Sequence, residues 1–259
     1  MKLLSMIDAA SFIGEPTDFM GICLIYPPKV KDIIASGPFL KYYRFFTFSQ
    51  EEVEEEIKRL GLPIETGVNA LHFLINICKN DKNFEESILK GLEYFLHEKA
   101  TILYEQKVIL IGEITPENLS NIENLRLITT NNYFEFQNAI RKSAGFPEEK
   151  PPVPIDPDED PRIRKMKEKI RERDRIKAKR AAEGKTDGIS LSTSLAAICC
   201  MGIGLTPLNI GEMSYAAIAP LTKMMQEKEK YDLDIHSILA GADPKKVKPK
   251  YWIRNFEKD

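Results

Sequence analysis

The stretch PEEKPPVPIDPDEDP, residues 147–161, places six prolines in fifteen positions. Each proline fixes its own φ, removes one N–H donor and pushes its predecessor away from the α region. Without apolar periodicity, such a run can form neither a helix nor a central strand. It predicts an extended, semi-rigid, acidic linker and marks the main domain boundary of the 259-residue chain.

Charge changes at the same place. Residues 1–146 carry 15 basic and 20 acidic side chains, and residues 147–160 carry one and six. Residues 161–185 carry twelve and four, and residues 186–259 nine of each. The net charge of −2 excludes a simple polycation, so the asymmetry is internal. An apolar content of 43% is enough for a core and excludes wholesale disorder.

The pattern predicts an α+β fold, mainly α. Residues 1–146 read as a mostly helical domain with short strands. Phe19 to Tyr26 reads as a strand, and Lys29 to Ala35 begins a helix. Ser49 with Glu52 forms a capping box for a helix whose inner face is Val53, Ile57 and Leu60. Val68 to Cys78 and Phe84 to His97 are two more helices, the second with Ile88, Leu92 and Phe95 inward. Thr101 to Tyr104 and Val108 to Gly112 read as strands. Thr115 caps a short helix, Leu125 to Thr129 is a further strand, and Tyr133 to Ile140 closes the domain.

Residues 162–185 predict a basic helix, rich in good helix formers. Its thin stripe of Ile163, Met166 and Ile170 predicts poor burial, with ordering against a partner. Residues 186–259 read as a small helical region with a basic tail. Ser194 to Met201 is apolar nearly all round and so is expected to be buried. Gly211 to Lys228 reads as an amphipathic helix that Pro220 kinks or splits, with Met213, Ala217, Leu221, Met224 and Met225 on one face. Tyr231 to Ala240 follows, stopped by Gly241 and Asp243-Pro244.

Reactive chemistry is hard to write on this chain. Cys23, Cys78, Cys199 and Cys200 form no C-x-x-C pair and read as buried, inert thiols. His72, His97 and His236 share no helix face, so no metal site follows from them. His72 reads as a partly buried, hydrogen-bonded residue. No phosphate-binding loop, dinucleotide fingerprint or nucleophile elbow is present. The Glu51–Glu56 cluster reads as a solvated helix face, and Asp232 with Asp234 is a weak metal pair. No enzyme activity, cofactor or metal is expected. The apolar window Ile189 to Leu205 is too short and polar for a membrane span. The eleven basic residues from Arg162 to Arg180 suit phosphates, but no aromatic is interleaved. A charged connector, or a helix that docks on an acidic partner, is the alternative.

The segments ISLSTSLAAICCMGIGLTPLNIGEMSY and QEKEKYDLDIHSILAGADPKKVKPKYWIRN resemble tail-gene proteins of long-tailed bacteriophages infecting Gram-positive bacteria. These are generally read as tail-assembly chaperones for the tape-measure protein. The resemblance is carried by Tyr231, Asp234, Leu239, Ala240, Gly241, Ala242, Asp243, Lys245, Lys246, Tyr251 and Trp252. IYPPKVKDII (25–34) and TILYEQKVILIG (101–112) are similar to the same proteins. The best-known members are shorter. In some phages a longer form arises by translational frameshifting, which the boundary at 147–161 would suit.

The resemblance implies a non-enzymatic protein of the host cytoplasm that shields a tape-measure protein's exposed apolar helices. A tail-tube protein or a second copy are further partners. Helix-in-groove contact uses apolar anchors at helical spacing, and methionine adapts to varied surfaces. Met213, Leu221, Met224 and Met225 are the candidates, with Tyr231 and Trp252; the alternative is that this stripe packs the protein's own core. Arg164, Lys167, Arg171 and Arg175 are candidates for meeting acidic partner surfaces. Two other functions stay open: a structural tail or tail-completion component retained in the virion, and a basic-helix nucleic-acid-binding protein.

Overall fold

The computed structural model describes residues 9–36, 42–44, 46–48, 52, 69–112, 125–146, 148 and 190–251, with 162, 163, 166, 169, 170, 173 and 176 of the basic segment. The fold is α+β and mainly α, with one two-stranded and one three-stranded sheet. The proline-rich stretch, the Ser49 capping box and the Thr115 helix lie outside the described residues, apart from Glu148 and Glu52.

A short helix α1 (Ala9–Ile13) leads into strands β1 (Thr17–Phe19) and β2 (Cys23–Ile25), which pair antiparallel with Phe19 opposite Cys23. The single strand expected over Phe19 to Tyr26 is therefore corrected to a hairpin that starts earlier. The reason is the turn. Met20 and Gly21 both take positive φ, +53° and +69°, and Ile22 N–H donates to Phe19 O at 2.8 Å. Asp18 Oδ2 accepts from Gly21 N–H at 3.0 Å. Helix α2 (Val30–Ser36) follows.

Helices α3 (Ala70–Asn80) and α4 (Lys82–Leu96) pack on each other and are joined by one residue. Asp81 N–H ends α3 on Ile77 O, while its carboxylate accepts from Asn83 and Phe84 N–H and starts α4. Asn69 caps α3 by accepting from His72 N–H. The left-handed His97 stops α4 and stacks on Tyr26, ring centroids 3.9 Å apart. Strands β3 (Ala100–Leu103), β4 (Val108–Ile111) and β5 (Leu127–Ile128) form an antiparallel sheet in the order β3-β4-β5. Helix α5 (Tyr133–Ser143) crosses back over the core.

That core is aromatic at its centre. Phe46 meets Phe95 and Phe136 edge-on at 6.1 and 6.2 Å, and Phe19 meets Phe136 at 5.5 Å. Ile88, Leu92 and Phe95 of α4 are fully buried, as their spacing predicts. Each such side chain contributes about 1.5–3 kcal/mol of transfer free energy. Buried Gln137 is satisfied by donating to Phe48 O at 2.8 Å.

The C-terminal region differs from its sequence pattern at three points. Helix α6 (Leu191–Cys200), capped by Ser190, buries only Ser194 and Ile198. Its expected all-round burial is corrected: one face packs, while Ser192, Thr193, Ala196 and Cys200 face solvent. Gly211 to Ala217 is not helical throughout. It forms two 3-10 turns, Ile210–Glu212 and Tyr215–Ala217, separated by extended Met213 and Ser214. The two helices expected from Gly211 and Tyr231 are one, α7 (Ile218–Leu239). Pro220 neither kinks nor splits it, because it lies in the first turn, where an N–H has no intrahelical acceptor. Helix α7 ends at Gly241 (φ +102°), with Gly241 N–H on Ile238 O and Ala242 N–H on Ser237 O, both at 2.9 Å. Asp243 then caps the short helix α8 (Pro244–Val247).

Residues from both sides of the proline-rich stretch meet in one seam. Ser214 bridges Lys29 antiparallel; Val30 N–H donates to Met213 O at 3.0 Å and Tyr215 N–H to Pro28 O at 2.8 Å. Ser214 Oγ donates to Ser11 O at 2.6 Å. Glu212 takes both Lys29 and Lys31, at 3.0 and 2.6 Å. Buried Val30, Ile198, Ile210 and Ile218 form a second small core around these bonds. Gly145 (φ +76°) lies against Ala216 so closely that a Cβ there would sit 2.7 Å from Ala216 Cα.

Candidate partner-binding surface

The apolar residues expected to contact a partner fall into two groups. Met213 and Leu221 pack against the small core of Val30, Ile198, Ile210 and Ile218. Met213 is not on the helix at all; it lies in the extended link before it, and its carbonyl belongs to the seam. Met224, Met225 and Tyr231 lie on α7, half-buried. Beyond Pro220 no residue of α7 is buried, which leaves Leu233 and Leu239 open to solvent. Tyr231 meets Tyr251 edge-on at 5.4 Å, so the chain after α8 folds back along α7. Trp252 lies outside the described residues.

The face of α7 has a heptad-like order. Leu221, Met224, Lys228, Tyr231, Ile235 and Ile238 follow at alternating steps of three and four. At 100° per residue, Glu227 and Asp234 flank this stripe on one side, Asp232 and Glu229 on the other. Lys228 reaches Asp232 at 2.7 Å.

In the basic segment, Arg162, Ile163, Met166, Lys169, Ile170, Arg173 and Ile176 are each helical and exposed. The stripe is open: Ile163 is 50% exposed, Met166 66% and Ile170 46%. Arg164, Lys167, Arg171 and Arg175 lie outside the described residues. The expected poor burial of this helix is what the described positions show.

A cleft of about 300 Å³ separates α7 from the chain after it, lined by Glu227, Lys230, Asp234, Lys246, Lys248 and Lys250. Its carboxylates and ammonium groups oppose each other in charge, so neither a bare cation nor a bare anion finds a one-signed site there. Among the described residues no group of three or more His, Cys, Asp or Glu could hold a metal ion. No helix among them is long and apolar enough to cross a membrane.

The thiols divide. Cys23 and Cys78 are buried, and burial pushes both up to about 12, with carboxylates at Glu98 and Glu85 adding to it. Cys199 is half-buried and Cys200 exposed, which corrects the expectation of four buried thiols. His72 is partly buried, as expected, and burial together with Lys107 lowers its pKa.

Sequence reasoning missed the loop between α6 and the first 3-10 turn. Leu208 is 98% exposed on it. The loop is braced: Asn209 Oδ1 accepts from Thr206 N–H at 2.7 Å, and Asn209 Nδ2 donates to Gly204 O at 3.0 Å. Gly202 and Gly204, with Thr206-Pro207 and Asn209 after them, were the available signal, and both glycines take positive φ. No family model matches the chain, and neither a curated protein nor a solved structure does.

Proposed function

We propose that this protein is a non-enzymatic tail-assembly chaperone of a long-tailed bacteriophage, which covers the exposed apolar helices of a tape-measure protein in the host cytoplasm. The observation that carries the reading is α7: a 22-residue helix with no buried residue after Pro220 and a half-buried stripe of Met224, Tyr231, Ile235 and Ile238, with half-buried Met225 beside it. A stripe of this width suits helix-in-groove contact, and its methionines suit a partner of varied sequence. Met213 and Leu221 support that helix from below rather than meeting the partner. The open Ile163–Met166–Ile170 stripe, set among basic residues, supplies a second contact for acidic partner helices.

The test is co-expression with the tape-measure protein of the same tail-gene cluster. Wild-type chain should keep the tape-measure protein in the soluble fraction. Met224→Glu with Ile235→Glu should return most of it to the pellet while this protein itself stays folded. Unchanged solubility with and without the wild-type chain would sink the reading.

A further inference from the structure

The chain turns twice after α7. Gly241 takes φ +102°, and Lys248, a non-glycine residue, takes φ +50°. Helix α8 lies between them, and after them Tyr251 comes back onto Tyr231, edge-on at 5.4 Å. Tyr231 stands eight residues, about 12 Å, before the end of α7 at Leu239. Residues 244–251 are therefore a strap laid back along the helix, with Val247 and Pro249 half-buried and Lys248 and Lys250 exposed.

Charge favours this position, while contact holds it only weakly. Lys246, Lys248 and Lys250 of the strap face Glu227 and Asp234 of α7, with Lys230 beside them, across a cleft of about 300 Å³. Attraction across such an opening runs through water and is screened by salt. No residue of α8 is buried, and none of α7 is after Pro220. A contact with so little burial opens at low cost. At 100° per residue, Glu227, Tyr231, Asp234 and Ile238 share an arc of about 60°, one edge of the apolar stripe. A partner helix seated on that stripe has its axis about 8–10 Å from that of α7 and is itself about 10 Å across. It needs the place that Tyr251 holds.

We propose that the strap is an autoinhibitory cover: in the free chain it lies on the edge of the partner-binding face, and a partner helix binds only where it has let go. What the face binds rests on the function proposed above; what covers it rests on the strap's own contacts. The apparent affinity for the partner is then reduced by the fraction of chains that stand open.

Two readouts on the full chain follow the strap without any partner. Trp252 is the only tryptophan and comes directly after Tyr251, so its fluorescence anisotropy reports on the strap. Nile red, an uncharged apolar dye, reports on the uncovered face. Raising salt from roughly 0.05 to 0.5 M should lower the anisotropy and raise the dye signal. Lys246→Glu with Lys250→Glu, which leaves left-handed Lys248 in place, should do the same at low salt. The open fraction should rise roughly tenfold, as two exposed attractions are lost at a factor of about three each. Adding Glu227→Lys and Asp234→Lys should close the strap again. In co-expression, the doubly reversed chain should keep the tape-measure protein soluble at roughly a tenth of the level that wild type needs. Anisotropy and dye signal that ignore both salt and the reversed lysines would overturn the proposal. So would a strap that opens without lowering the level needed. A strap that opens as expected, while neither chain keeps the tape-measure protein soluble, would overturn the chaperone function and leave the cover of α7 standing.

Discussion

Cys199 and Cys200 are neighbours in sequence yet meet different surroundings. One step along a helix turns the side chain by 100°, so Cys199 points toward the small core and Cys200 away from it. Cys23 and Cys78 are enclosed, and with burial holding them at about 12 they stay protonated thiols throughout the neutral range. Titration with a coloured disulfide reagent at neutral pH should therefore show Cys200 reacting first and Cys199 more slowly. Cys23 and Cys78 should react only after denaturant is added. Four thiols reacting at one rate in the native protein would contradict this burial. The run AAICC reads as buried because every residue in it is small or apolar. Composition alone does not say that only one side of so short a helix finds a neighbour.

The first hairpin carries a cost in its turn. Met20 is a solvent-exposed, non-glycine residue held at φ +53° beside Gly21 at +69°. Asn tolerates this left-handed pair better than an unbranched apolar side chain, and Asn-Gly is the preferred pair for turns of this hand. Met20→Asn should raise stability by about 0.5–1 kcal/mol, read as a higher urea midpoint at unchanged slope. A lower midpoint would show that the turn is not strained there. The element pattern was most legible where apolar periodicity ran through a whole element, as in α3, α4, β3, β4 and α5. It failed where one residue decided the outcome. Met-Gly is a weak turn signal, so Phe19 to Tyr26 reads as one strand. Pro220 reads as a break because its effect depends on where the helix starts, and the start is set by the seam at Ser214 and Tyr215. For the candidate surface, the open basic stripe was legible from its thin 3-7 spacing. Placing Met213 with Met224 was not, since the two share a helical period but not a helix.

Across the whole molecule, the seam joins regions that lie far apart in sequence. Cutting the backbone at a protease site inserted between Val153 and Pro154 should leave two pieces that still elute together under native conditions. Gly145→Ala should separate them or shift them toward the free pieces. It strains a left-handed position and forces a methyl against Ala216 Cα, costing roughly 1–3 kcal/mol. Pieces that part at once without the substitution would show that the seam is too weak to matter. Because Gly145 meets Ala216, 71 residues further on, the seam also sets a waiting time during synthesis. At 5–20 residues per second the ribosome needs roughly 4–14 s to deliver the second half of the contact. Through that interval Val30 and the end of α5 lack their cover, so a nascent product truncated near the proline run is a natural target for holdases and proteolysis.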